Sequence, residues 1–226
     1  LNPNYATAYH WYSHTLRALG RFDEARTHLF AAKSLDDPNR QRSQVFFYGQ
    51  DPGTTARIFL ARTFWILGEI EHVEPLALEA IGLARELEHP FTMVFALTSL
   101  SWIYSTLRNA KKTRELADEA IAISTQYSFE LGLAWATSFQ GWALAENEQE
   151  EGLAKLINGL AATRATGASI NTFTLSLLAD IYLREQRIDE GMDKAIDKAE
   201  DREKFRKWMI ELGVPLATAK TANSFL

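Results

Sequence analysis

Read for its apolar and polar positions, the chain is a succession of helices. Apolar residues recur three or four apart in Leu60, Ala61 and Phe64, in Leu97, Leu100 and Tyr104, and in Leu175, Leu178 and Tyr182. That spacing lines one face of a helix. Proline and turn residues punctuate the stretches at Asp37-Pro38, Asp51-Pro52-Gly53 and His89-Pro90, where helices start or stop. Nothing alternates for long enough to read as a strand. The expected fold class is all-α.

The stretches also repeat one another. From Ser13, steps of +7, +12 and +19 reach Gly20, Ala25 and Ala32. From Ala61 they reach Gly68, Val73 and Ala80, from Ser101 Arg108, Thr113 and Ala120, and from Gly141 Glu148, Leu153 and Leu160. A partial copy starts at Ala179 and reaches Gln186 and Gly191. The starting residues lie 48, 40, 40 and 38 positions apart, a period that marks a helical solenoid. The small first residue lets two antiparallel helices approach closely. The position seven later is glycine in the first two copies, Gly20 and Gly68, which suits a left-handed residue at a helix end. Five helix pairs are expected, the last incomplete, over residues 1–191, with 192–226 as a terminal helix and irregular tail.

The first copy, NYATAYHWYSHTLRALGRFDEARTHLFAAKSLDDP from Asn4 to Pro38, has a small–Gly–Ala–Ala–Pro skeleton and resembles the tetratricopeptide repeats. The resemblance implies a right-handed superhelix of helical hairpins whose first helices line a concave groove. More specifically, FYGQDPG, ARELEHPF, GWALAENEQEEGL and RATGA resemble the C-terminal repeat region of large bacterial signalling proteins. In those, a nucleotide cyclase or other output domain precedes a STAND-type ATPase and a tetratricopeptide tail. That implies a cytoplasmic, regulatory and non-catalytic role for this region. Leu1-Asn2-Pro3 echoes Leu35 to Pro38, so the chain is expected to begin inside a longer array. Its uncapped end would then expose an apolar face and favour self-association.

The other end reads differently. From Asp193, DKAIDKAEDREKFRKWMIELGVPLATAKTANSFL is similar to a segment of carbamoyl-phosphate synthetase large subunit, just before its ATP-grasp site. That similarity implies an ATP contact for Arg202, while the glycine-rich loop and metal-binding carboxylates of that family would lie beyond Leu226. The segment is either foreign to the repeats or a charged terminal helix, from about Glu190 to Leu212, that caps them. Neither reading makes an ATP site.

Composition narrows the function. The 226 residues carry 24 Lys and Arg against 29 Asp and Glu, a net charge of −5 that argues against a nucleic-acid surface. There is no cysteine, which removes disulfides, thiolate metal sites and cysteine nucleophiles and fits a reducing compartment. The uncharged run from Phe91 to Leu107 falls short of a membrane span and includes Thr98, Ser99, Ser101, Ser105 and Thr106. No membrane partner is expected.

Signals of catalysis are weak. His10 and His14 share a helix face, yet HWYSH lacks the glutamate of a zinc helix and a third ligand. No metal or cofactor is expected. Gly49 to Thr55 lacks the lysine of a phosphate loop and reads as a turn before a helix capped by Thr54 or Thr55. Asp23-Glu24 and Glu150-Glu151 sit at helix starts, where the helix dipole favours acids.

What remains is a surface for binding. With the small residue as position eight, the family's groove positions fall on His10, His14 and Arg17, on Ile58, Arg62 and Trp65, and on Phe95, Thr98 and Trp102. They continue at Trp135, Ser138 and Trp142, then Asp180 and Arg184. Arg17, Arg62, Trp65, Trp102, Trp135, Trp142 and Arg184 are the candidate contacts, because Trp and Arg dominate interaction hot spots. The competing reading is that the tryptophans pack between repeats as core. The expected function is a non-catalytic scaffold holding a protein, a peptide or a small effector, the regulatory tail of an ATP-dependent signalling protein. The alternatives are an inactive fragment of an ATP-grasp ligase and a plain structural spacer.

Overall fold

The structure, a computed structural model, describes residues 6–35, 49, 51–168 and 172–184. Among them are nine α-helices, one 3-10 turn at Ile70–His72 and no strand. The helices are α1 (Ala6–Ala18), α2 (Phe22–Ser34), α3 (Pro52–Leu67), α4 (Val73–Glu86) and α5 (Pro90–Thr106). They continue as α6 (Ala110–Tyr127), α7 (Glu130–Glu146), α8 (Glu151–Ala165) and α9 (Thr172–Arg184). The all-α expectation is met. The expected terminal helix near 190–212, Arg202 and the Asp37-Pro38 join lie outside the described residues.

Each helix packs on the next, and α1, α3, α5, α7 and α9 also pack on one another in series. Among the described residues the backbones of the even-numbered helices do not pack on each other, and these helices meet through side-chain ion pairs such as Lys33–Glu79 and Arg85–Glu119. The odd helices are therefore the shared layer. Their composition explains this: α5 and α7 are the most apolar of the set, and thirteen of the seventeen residues of α5 are buried. Helices α4 and α6 bury narrower stripes, such as Val73, Leu76, Ala77, Ala80 and Ala84 in α4, and turn the rest to solvent.

The repeat spacing maps onto local structure. Gly20, Gly68, Arg108 and Glu148, the +7 positions, all have positive φ, between 56° and 80°. Glycine suits that conformation without strain, whereas Arg108 and Glu148 adopt it at a cost of about 1 kcal/mol. The small positions Ser13, Ala61, Ser101 and Gly141 are all buried, as are the +12 and +19 residues of the same four copies. The closest approach is between α7 and α8. A Cβ on Gly141 would overlap the Leu156 amide nitrogen and lie 2.8 Å from the Gly152 carbonyl oxygen. Gly152 and Gly159 meet the backbone of α7 in the same way, at Ala145 and Ser138.

The helix starts are built locally. At α3 the cap is Asp51 rather than Thr54 or Thr55. Its carboxylate accepts a 2.6 Å hydrogen bond from the Thr54 amide, with Pro52 in the first turn. Thr55 instead donates its hydroxyl back to the Asp51 carbonyl. His89 caps α5 through its ring nitrogen, which accepts from the Thr92 amide. Asp23 and Glu24 stand in the first turn of α2, as does Glu151 in α8.

Candidate functional site

The series of odd helices brings basic and aromatic side chains together around Phe59 of α3. The Arg17 guanidinium, from the last turn of α1, lies 4.7 Å from the Phe59 ring centre, and that of Arg62 lies 5.6 Å from it. Arg62 also stacks on Trp102 of α5 at 4.3 Å. Trp65 meets Trp102 edge-on at 5.1 Å. The rings of His10 and His14 approach Phe59 at 5.4 and 5.5 Å. Four basic side chains therefore converge on one ring.

Their electrostatics follow from burial and mutual repulsion. Desolvation lowers Arg17 to about 10, with the Arg62 charge adding to it. Desolvation alone brings Arg62 to about 10. His10 is only 5% exposed and falls to about 4, through burial first and then the charges of His14 and Arg17. His14 is lowered as well, by burial and then by Arg17 and Arg62. No carboxylate among the described residues pairs with Arg17 or Arg62, and both Nε atoms are buried without a hydrogen-bond partner. Two neighbouring arginines, Arg57 of α3 and Arg108 in the turn after α5, are answered. Arg108 holds Asp180 through two 2.7 Å hydrogen bonds, and Arg57 pairs with Glu79.

Beside Arg62 the face deepens into a pocket of ≈ 130 Å³ lined by Arg62, Phe95, Thr98, Ser99, Trp102, Trp135, Phe139 and Thr174. The wall is contributed by α3, α5, α7 and α9. A second cleft of ≈ 320 Å³ lies among Trp65, Ser105, Thr106, Arg108, Ser176, Leu177 and Asp180. Its arginine is already paired with its aspartate.

The candidate contacts divide accordingly. Arg17, Arg62, Trp65 and Trp135 are partly buried and retain exposed surface, and Trp102 is at 9% exposure. Trp142 is a correction. It has 0% exposure and shares the core with Leu177 and Ile181 of α9, so it packs and cannot touch a partner. Ile58 is likewise fully buried, and Ser138 and Thr98 nearly so. The reason is a gradient along the array. The position after the small residue is exposed as His14, half-buried as Arg62, nearly covered as Trp102 and fully buried as Trp142. The Arg184 side chain lies outside the described residues. Phe59, Phe139, Ser99 and Thr174 were not among the candidates; Phe59 was legible only as the residue three before Arg62 on its helix face.

Among the described residues no group of three metal-ligating side chains converges, and no helix is long and apolar enough to cross a membrane. No family model, curated protein or solved structure matches the chain.

Proposed function

We propose that the chain is a non-catalytic binding scaffold, a tetratricopeptide-like solenoid whose odd helices hold an acidic segment of a partner protein. The observation that carries this reading is the convergence of Arg17 and Arg62 on Phe59 with no carboxylate to answer them among the described residues, beside the neutral imidazoles of His10 and His14. Desolvated cations without partners are costly in a free protein and are relieved by an incoming anion. Guanidinium and indole groups at the centre of a face are also the side chains that concentrate binding energy.

The repeat reading is supported by the four left-handed +7 positions and by the burial of the small residues. The serial packing of odd helices is the contact pattern such a stack requires. The resemblance of its motifs to bacterial signalling tails makes a regulatory role inside a larger ATP-dependent protein the natural setting.

Selection from a random peptide library tests the reading. Selected peptides should be enriched in Asp and Glu, and binding should weaken at least tenfold in Arg17→Gln and Arg62→Gln and with added salt. Peptides of no charge preference that bind both variants like the parent chain would remove it.

A further inference from the structure

We propose that the pocket between α3, α5, α7 and α9 is a site for a small aromatic monocarboxylate. The carboxylate would meet the Arg62 guanidinium, and the ring would lie among Trp102, Trp135 and Phe139. The inference goes beyond the scaffold reading, because it needs no protein partner and each can fail alone.

Charge sets the first requirement. Arg62 is the one cation among the described residues that line this pocket. The guanidinium sits 4.3 Å from the Trp102 ring centre, and a guanidinium held on a ring face keeps its terminal N–H donors for an anion. Its Nε is buried with no acceptor. A planar carboxylate satisfies such a fork with two parallel hydrogen bonds. A dianion such as a phosphate ester would need a second cation, and Arg17, which lies on Phe59, is not among the described residues of the lining.

Shape and polarity set the second. The walls are four aromatic rings with the hydroxyl residues Thr98, Ser99 and Thr174. The Thr98 hydroxyl donates to the Val94 carbonyl at 2.8 Å, so what it offers a ligand is an acceptor. At ≈ 130 Å³ the space suits a single ring with a short acidic arm, well below the hundreds of Å³ that larger ligands occupy. Aromatic walls favour a flat apolar body in offset or edge-on contact.

Titration calorimetry of the whole chain with phenylacetate, phenylacetamide and acetate is the test. Phenylacetate should bind saturably, and the amide and acetate should each bind at least tenfold more weakly, since one lacks the charge and the other the ring. Arg62→Gln should weaken phenylacetate at least tenfold, whereas Arg85→Gln, on the exposed Arg85–Glu119 pair, should not change it. A readout free of any variant is the indole N–H spectrum of the unaltered chain. The Trp102 and Trp135 signals should move with phenylacetate while that of Trp11, 57% exposed on α1, stays still. Equal affinity for acid and amide, no saturable binding up to on the order of 10 mM, or shifts confined to other tryptophans would each overturn the proposal. Binding of acidic peptides without any binding of phenylacetate would leave the scaffold reading standing and remove this one.

Discussion

The Arg62 guanidinium stacks 4.3 Å from the centre of the Trp102 ring, joining α3 to α5 through a cation on an aromatic face. The same guanidinium also lies 5.6 Å from the Phe59 ring centre, a ring it shares with Arg17 at 4.7 Å. Stacking of this kind contributes about 0.5–2 kcal/mol, but it does not neutralise two cations on one ring. A face assembled in this way gives up stability in the free protein.

Arg17→Met tests that cost. Methionine keeps an apolar stem against Phe59 and removes the charge that Arg62 repels. The lowered values of both arginines, about 10, mean that their charged forms are disfavoured by folding at neutral pH. Arg17→Met should therefore raise Tm by roughly 2–4 °C, about 1 kcal/mol for a chain of this size. A fall of that size would show that the stacking contact outweighs the repulsion.

The buried imidazole of His10 predicts an acid-sensitive fold. Its pKa drops from 6.5 in the unfolded chain to about 4 in the folded one. Between those values the unfolded state binds the extra proton, so stability falls as pH is lowered through the window. The lost stability approaches about 3 kcal/mol below pH 4. Urea unfolding followed from pH 7 to 4 should show this slope, and His10→Leu should remove most of it. An unchanged slope in the variant would place the acid sensitivity elsewhere.

Two glycines should answer the same substitution with opposite signs. Gly82 lies in α4 with nothing near an added Cβ, so Gly82→Ala should gain up to about 1 kcal/mol of helix propensity. At Gly141 the Cβ would meet the backbone of α8, and Gly141→Ala should cost about 1–3 kcal/mol or more. Melting curves of the two variants decide it; equal shifts would contradict the close approach of α7 and α8.

The turn positions give a subtler case. Glu148 sits at φ 56° with its side chain exposed. Glu148→Gly should stabilise the chain by about 0.5–1 kcal/mol by relieving a left-handed conformation. At Arg108 the same relief is opposed by loss of the pairs with Glu146 and Asp180, so Arg108→Gly should come out near neutral or destabilising. If Glu148→Gly lowers Tm, the turn carries a contact beyond its backbone geometry.

Much of this architecture was legible before any coordinates. Spacing alone placed Ser13, Ala61, Ser101 and Gly141 at buried positions and marked Gly20 and Gly68 as left-handed, because backbone sterics and close packing leave local signatures. Arg108 and Glu148 occupy the same turns without glycine, so residue type did not reveal their left-handed conformation. The site was less legible. Helical spacing places a residue on a face, but the depth of that face depends on which helix lands beside it. Arg62 and Trp142 hold equivalent positions, yet the first keeps exposed surface and the second is fully buried. The absence of carboxylates near Arg17 and Arg62 among the described residues is a three-dimensional property of side chains scattered over several helices, and no local pattern announces it.

Chemical-shift mapping of the chain with a library-selected acidic peptide tests the central claim most directly. The account predicts shifts concentrated on the Nε–H groups of Arg17 and Arg62 and the indole N–H groups of Trp65, Trp102 and Trp135, with the outward residues of α4 and α6 unmoved. Shifts clustered on α4 and α6, with the Arg62 and Trp102 signals unchanged, would contradict it.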